Sequence, residues 1–150
     1  MHEAIHHLDK RFKALRPFLA TTRPPKGWVR AIRDALGMTT PQMARRMGVA
    51  QPRIIELEQA EVSGSITLHS LERAAEALGC RVVYALVPEQ PLADRVKEQA
   101  KRVAEKQLAT INQTMSLEDQ TVLDPKAQKE MLNRLKEELL RKPARLWDET

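Results

Sequence analysis

Aromatic residues are scarce: Phe, Trp and Tyr together make up 3% of the 150 residues. So few rings cannot pack a core by themselves. The 42% hydrophobic content is mainly Ala, Leu, Val, Ile and Met, the composition of helices that pack through aliphatic ridges. Cysteine is almost missing as well. Cys80 has no second cysteine with which to close an intramolecular disulfide or begin a zinc site, which fits a reducing compartment. Long apolar runs are absent too: the longest, VVYALV at 82–87, is far too short to span a bilayer, and the opening MHEAIHHLDKRFK has no apolar signal segment. The expectation is a cytoplasmic protein with no membrane partner. No phosphate loop, nucleophile elbow or metal-spaced cluster is visible, so neither an enzyme nor a cofactor is expected. His2 and His6 share an i, i+4 spacing but lack a third ligand and read as solvated.

What is present is positive charge, unevenly placed. The formal net charge is +5, yet residues 10–53 hold eleven of the twenty-five Lys and Arg and only Asp34 of the twenty acids. A basic segment of this density is either an electrostatic footprint for a polyanion or a solvated face. The chain is long enough for one modest core with helical appendages.

The apolar spacing predicts a mostly α-helical chain. Ile5, Leu8, Phe12 and Leu15 mark a first helix, ended by the Pro- and Gly-containing RPFLATTRPPKG. Val29, Ile32, Arg33 and Leu36 mark a second, stopping at Gly37. Thr39 and Gln42 then match a capping box, with Pro41 in a first turn where its missing N–H costs nothing. This third helix turns Met43, Ala44 and Met47 inward and ends at Gly48. A fourth follows with Ile54, Ile55, Leu57 and Glu58 after Pro52. Helices shorter than about twelve residues are marginal alone in water, so these two must brace each other across MGVA. Two helices braced through a tight Gly turn form either a helix-turn-helix, whose second helix enters the DNA major groove, or a hairpin of an ordinary α-bundle. Charge favours the first. Arg23, Lys26, Arg30, Arg45, Arg46 and Arg53 all surround the pair, and phosphate contacts need such residues.

The run LGMTTPQMARRMGVAQPRIIELE resembles the lambda-repressor-like helix-turn-helix of the Xre class. It departs at Ala50, Pro52 and Gln59-Ala60, around the start and exit of the recognition helix. RPPKGWVRAIRDALGMTTPQMARRMGV, GSITLHSLERAAEALGCRVVYALVP, MSLEDQ and the terminal LWD are similar to the mobile mystery protein A family. That resemblance implies a regulator of its own operon, bound to a double-stranded DNA operator and encoded beside a Fic-domain toxin in the manner of an antitoxin. The alternative is a module that mainly neutralises the toxin. Carried residue by residue, the class pattern implies Gln51, Pro52, Arg53 and Glu56 as base contacts. Gln can read adenine and Arg guanine, while Glu56 accepts from cytosine or orients Arg53 or Arg45. Thr40 joins Arg23, Lys26, Arg30, Arg45 and Arg46 as ligands of the DNA backbone. Arg33 and Glu58 are implied as a structural pair linking the first and recognition helices.

Downstream, ITLHSLERAAEALG is a helix capped by Thr67 that closes the core, and RVVYALV reads as a short β-strand ended by Pro88. A lone strand needs a partner, and a second copy is the simplest one, so Val83, Tyr84 and Leu86 are assigned to a homodimer strand. Two amphipathic stripes follow, on Leu92, Val96, Ala100, Val103, Leu108 and Ile111, and on Ala127, Met131, Leu135 and Leu139. They pack on each other and on the dimer, or form a docking surface for a partner protein. TMSLED loosely resembles the inhibitory helix of Fic-domain antitoxins, with Thr114 and Glu118 in place but Asp119 at the last position. Trp147 is a candidate interface anchor. The expected division is 1–22, an N-terminal helix and linker; 23–91, the DNA-binding and dimerisation domain; and 92–150, a helical extension.

Overall fold

The computed structural model describes residues 2–118 and 124–148. Within them run α1 (His2–Leu15), α2 (Trp28–Ala35), α3 (Thr40–Met47), α4 (Gln51–Ser63), α5 (Leu68–Ala77), α6 (Leu92–Leu117) and α7 (Pro125–Arg141), with 3-10 turns at Arg16–Ala20 and Pro143–Trp147. The chain forms two compact units: Pro17–Leu86, and a discontinuous one of Met1–Arg16 with Val87–Thr150. The N-terminal helix therefore shares a unit with the C-terminal helices.

In the central unit, Val29, Met43, Ala44, Ile54, Ala74 and Leu78 form the buried core, with Ile32, Met47, Val49, Leu57 and Leu71 packed against it. Every helix from α2 to α5 contributes, so each short helix is held by burial rather than by its own propensity. The capping box is formed as expected: Thr39 Oγ1 accepts from Gln42 N–H at 3.3 Å and Thr39 N–H donates to Gln42 Oε1 at 2.8 Å. Gly48 ends α3 with φ 68°, the left-handed geometry that lets Val49 N–H reach back to Ala44 O at 3.0 Å. Ile55, one of the apolar positions that mark the fourth helix, is instead 45% exposed.

A buried carboxylate fixes the entry to the unit. Gly27, at the N-cap of α2, has no side chain to offer, and the buried Glu61 supplies the cap from the far end of α4. Its oxygens accept from Trp28 N–H at 2.8 Å and Val29 N–H at 2.9 Å. A Cβ on residue 27 would stand 2.7 Å from Glu61 Oε1 and push the capping carboxylate aside, and the φ of 89° asks for glycine as well.

The expected short β-strand does not form. Among the described residues there is no strand, and nothing hydrogen-bonds the backbone of residues 81–88. Val83, Tyr84 and Leu86 are 84%, 66% and 82% exposed. β-Branched and aromatic composition favours a strand only where a neighbour supplies the ladder, and the described residues offer no second strand.

In the other unit, Ala100, Ala104, Leu139 and Leu146 are buried between α6, α7 and the final turn, with Val96, Val103, Leu132 and Leu135 packed on them. α1 packs on α6. Pro91 precedes α6 and gives no side-chain cap, and Asp9 of α1 provides one, accepting from Leu92 N–H at 2.6 Å and Ala93 N–H at 3.1 Å. No described helix is long and apolar enough to cross a membrane.

Candidate nucleic-acid interface

α3 and α4 meet at the Gly48 turn, and the face of α4 opposite its buried Ile54, Glu58 and Glu61 is open to solvent. With 100° per residue, Pro52, Glu56 and Gln59 lie at the centre of that face, and all three are exposed. Gln51 and Arg53, also exposed, flank it at the N-terminal end. No side chain caps α4, because Ala50 stands at its N-cap; Pro52 has no N–H and Arg53 N–H donates to Ala50 O at 3.0 Å, which leaves the Gln51 N–H and the positive end of the helix dipole at this terminus.

The orientation of α4 is fixed by a buried ion pair. Arg33 Nε donates to Glu58 Oε1 at 2.6 Å and Arg33 Nη2 to Glu58 Oε2 at 3.3 Å, while Nη1 reaches Met38 O at 2.9 Å. One guanidinium thus holds α2, the approach to α3, and α4. The hydrogen bond to Glu58 is the main reason its pKa lies above the usual arginine value, with the charges of Glu58 and Asp34 adding and burial opposing. Removing one partner of such a pair strands a buried charge and costs roughly 3–5 kcal/mol.

The named side chains separate into three groups. Thr40 and Gln51 are brought together: Gln51 Nε2 donates to Thr40 Oγ1 at 3.1 Å, which orients the amide across the mouth of the motif. Lys26 and Arg45 are exposed, without side-chain partners among the described residues. Others are engaged with the protein. Arg23 binds the carbonyls of Glu61 and Val62 at the end of α4. Arg46 Nε donates to Ala77 O at 2.8 Å, and Arg30 is half-buried with Nε 3.8 Å from Asp34 Oδ2. A guanidinium carries five N–H donors, so Arg23 and Arg46 keep free ones, but their first effect is to tie helix ends.

Arg53 has a setting that sequence reasoning missed. It lines, with Glu56, Ser65, Thr67, Ser70 and Arg73, a recess of about 260 Å³ between α4 and α5. Arg73, whose Nη2 donates to Met47 O at 3.1 Å, is a cation of this surface that spacing could not separate from the solvated side of α5. Glu61 was also missed, since a cap supplied from 32 residues away leaves no local pattern.

Elsewhere, Thr114 Oγ1 donates to Thr110 O within α6 at 3.0 Å, and Glu118 is the exposed residue that ends that helix. Asp119 lies outside the described residues. Trp147 is 47% exposed, with the Arg95 guanidinium 5.9 Å from its ring centre. Among the described residues no group of three or more His, Cys, Asp or Glu could hold a metal ion.

Residues 29–84 match the family described as helix-turn-helix, covering α2 through α5 and the segment after them. No curated protein and no solved structure matches the chain significantly.

Proposed function

From a helix-turn-helix domain that supports a DNA-binding regulator, we infer a sequence-specific transcriptional regulator that recognises its operator as a homodimer. The observation that carries this reading is the outward face of α4. Gln51, Pro52, Arg53 and Glu56 are exposed on a helix whose inner face is locked by Arg33 and Glu58, and Lys26, Arg45 and Arg73 are exposed cations of the same unit. Gln51 and Arg53 supply bidentate readers, each good pair being worth about 1–3 kcal/mol of discrimination, and the cations supply the salt-dependent backbone term.

Dimerisation is assigned to residues 81–88. Their backbone groups lack partners, and Val83, Tyr84 and Leu86 present apolar surface beside a groove of about 360 Å³ formed by α2, α5 and the start of this segment. Antiparallel pairing of two such segments about a two-fold axis satisfies both ladders and presents two recognition helices to half-sites about 34 Å apart.

The resemblance to mobile mystery protein A adds autoregulation and an antitoxin-like partnership with a Fic-domain protein, for which the exposed Glu118 and Trp147 are the candidate contacts. A gel shift with the DNA upstream of the coding sequence, at several salt concentrations and with random duplex as competitor, tests the regulator. Equal affinity for both duplexes would refute sequence-specific recognition. Co-purification with the product of the neighbouring gene tests the partnership, and failure of capture with operator binding intact would remove the antitoxin half alone.

A further inference from the structure

The discontinuous unit contains a cleft of about 580 Å³ between α6, α7 and the final 3-10 turn. Four cations line it from three places in the chain: Arg102 and Lys106 one turn apart on α6, Lys142 just beyond α7, and Arg145 in the turn. Among the described residues, no carboxylate or carbonyl engages the side chains of Arg102, Lys142 or Arg145. In the central unit, by contrast, Arg23 and Arg46 are spent on the carbonyls at the ends of α4 and α5. Here three cations that line one cleft have no ion-pair or carbonyl partner among the described residues.

The frame around them is built. Leu146 is 1% exposed, and its carbonyl accepts from Gln99 Nε2 at 2.8 Å, which locks the final turn onto α6 and so fixes the placement of Arg145. The cleft also has an apolar floor, Val103, Leu135 and Leu139. Two acids, Glu138 and Asp148, share the lining and leave a surplus of about two positive charges. A volume in the range of small-molecule sites, with cations at the wall and aliphatic side chains at the base, selects a ligand with an anionic head and an apolar body. A phosphate monoester carries nearly two negative charges at neutral pH and three strong acceptor oxygens, which arginine forks match.

We propose that this cleft binds a phosphate monoester with a planar or apolar body, such as a nucleoside monophosphate, making the discontinuous unit an effector-binding unit attached to the DNA-binding one. Arg102 and Arg145 grip the phosphate, Lys106 and Lys142 add charge, and Val103, Leu135 and Leu139 take the body.

The test is calorimetric titration of the full chain with AMP and with phenyl phosphate, beside adenosine and inorganic phosphate. Both monoesters are expected to bind with Kd of about 0.1 mM or tighter, and adenosine and phosphate alone at least about tenfold more weakly. Arg102→Ala with Arg145→Ala should weaken the monoesters by roughly tenfold or more with the helical circular dichroism unchanged, since both side chains are exposed. Glu138→Gln should tighten them. The proposal is overturned if neither monoester binds by about 1 mM, if the arginine variants bind as the parent does, or if Arg45→Ala instead abolishes binding. Displacement of bound AMP by duplex DNA in a chain carrying Arg45→Ala would assign the cleft to a nucleic-acid backbone and equally overturn it.

Discussion

At the scale of single residues, cations that look alike in sequence differ in what they hold. Arg45 is exposed and free, whereas Arg46 secures the end of α5 through Ala77 O. Arg45→Ala should therefore weaken all DNA alike and reduce the salt slope by about one, with stability unchanged, in filter binding across a salt series. Arg53→Ala should instead narrow the gap between operator and random duplex by about 1–3 kcal/mol; an unchanged ratio would show that Arg53 serves the recess rather than the bases. Glu61 acts through the cap of α2. Glu61→Ala leaves the Trp28 and Val29 N–H groups without acceptors and should cost about 1–3 kcal/mol. Hydrogen exchange at those two amides reads it directly, and protection equal to the parent's would refute the cap. The Arg33–Glu58 pair was implied by resemblance and is present, because both residues sit on motif positions that a short pattern specifies. Glu61 and Asp9 were illegible for the opposite reason: each acts on donors more than thirty residues distant, and an acid in a helix has the same appearance whether it faces water or a helix end.

At the scale of elements, what could be read were the boundaries written in local chemistry. Thr39, Gln42 and Pro41 announce α3, Gly48 ends it, Thr67 begins α5, and Asp124-Pro125 begins α7. What could not be read was the state of VVYALV, whose composition asks for a ladder that one chain does not contain. Its sequence describes a preference, and only a second strand turns the preference into structure. If that strand is another copy, Val83→Pro should remove a ladder hydrogen bond and shift the protein from dimer to monomer in sedimentation, with helix content unchanged. An unchanged dimer would place the interface elsewhere.

At the scale of the whole molecule, the two cores share no buried residue, and the central unit has its own from α2 to α5. A chain of residues 17–91 should accordingly fold and bind the operator, more weakly if the remaining helices support the dimer, while losing capture of the partner protein and the response to monoesters. Loss of operator binding on truncation would show that the other unit belongs to the DNA-binding assembly. The bond from Asp9 to the start of α6, across 83 residues, has a consequence of a different kind. On the ribosome, α1 emerges before α6, and at about 5–20 residues per second its partner follows some 4–17 s later. By the end of that interval the central unit has its whole sequence and every residue of its core, whereas α1 has had nothing of α6 to pack on. The order of birth therefore gives the DNA-binding unit a head start, and α1 is the piece a chaperone or protease meets while it waits.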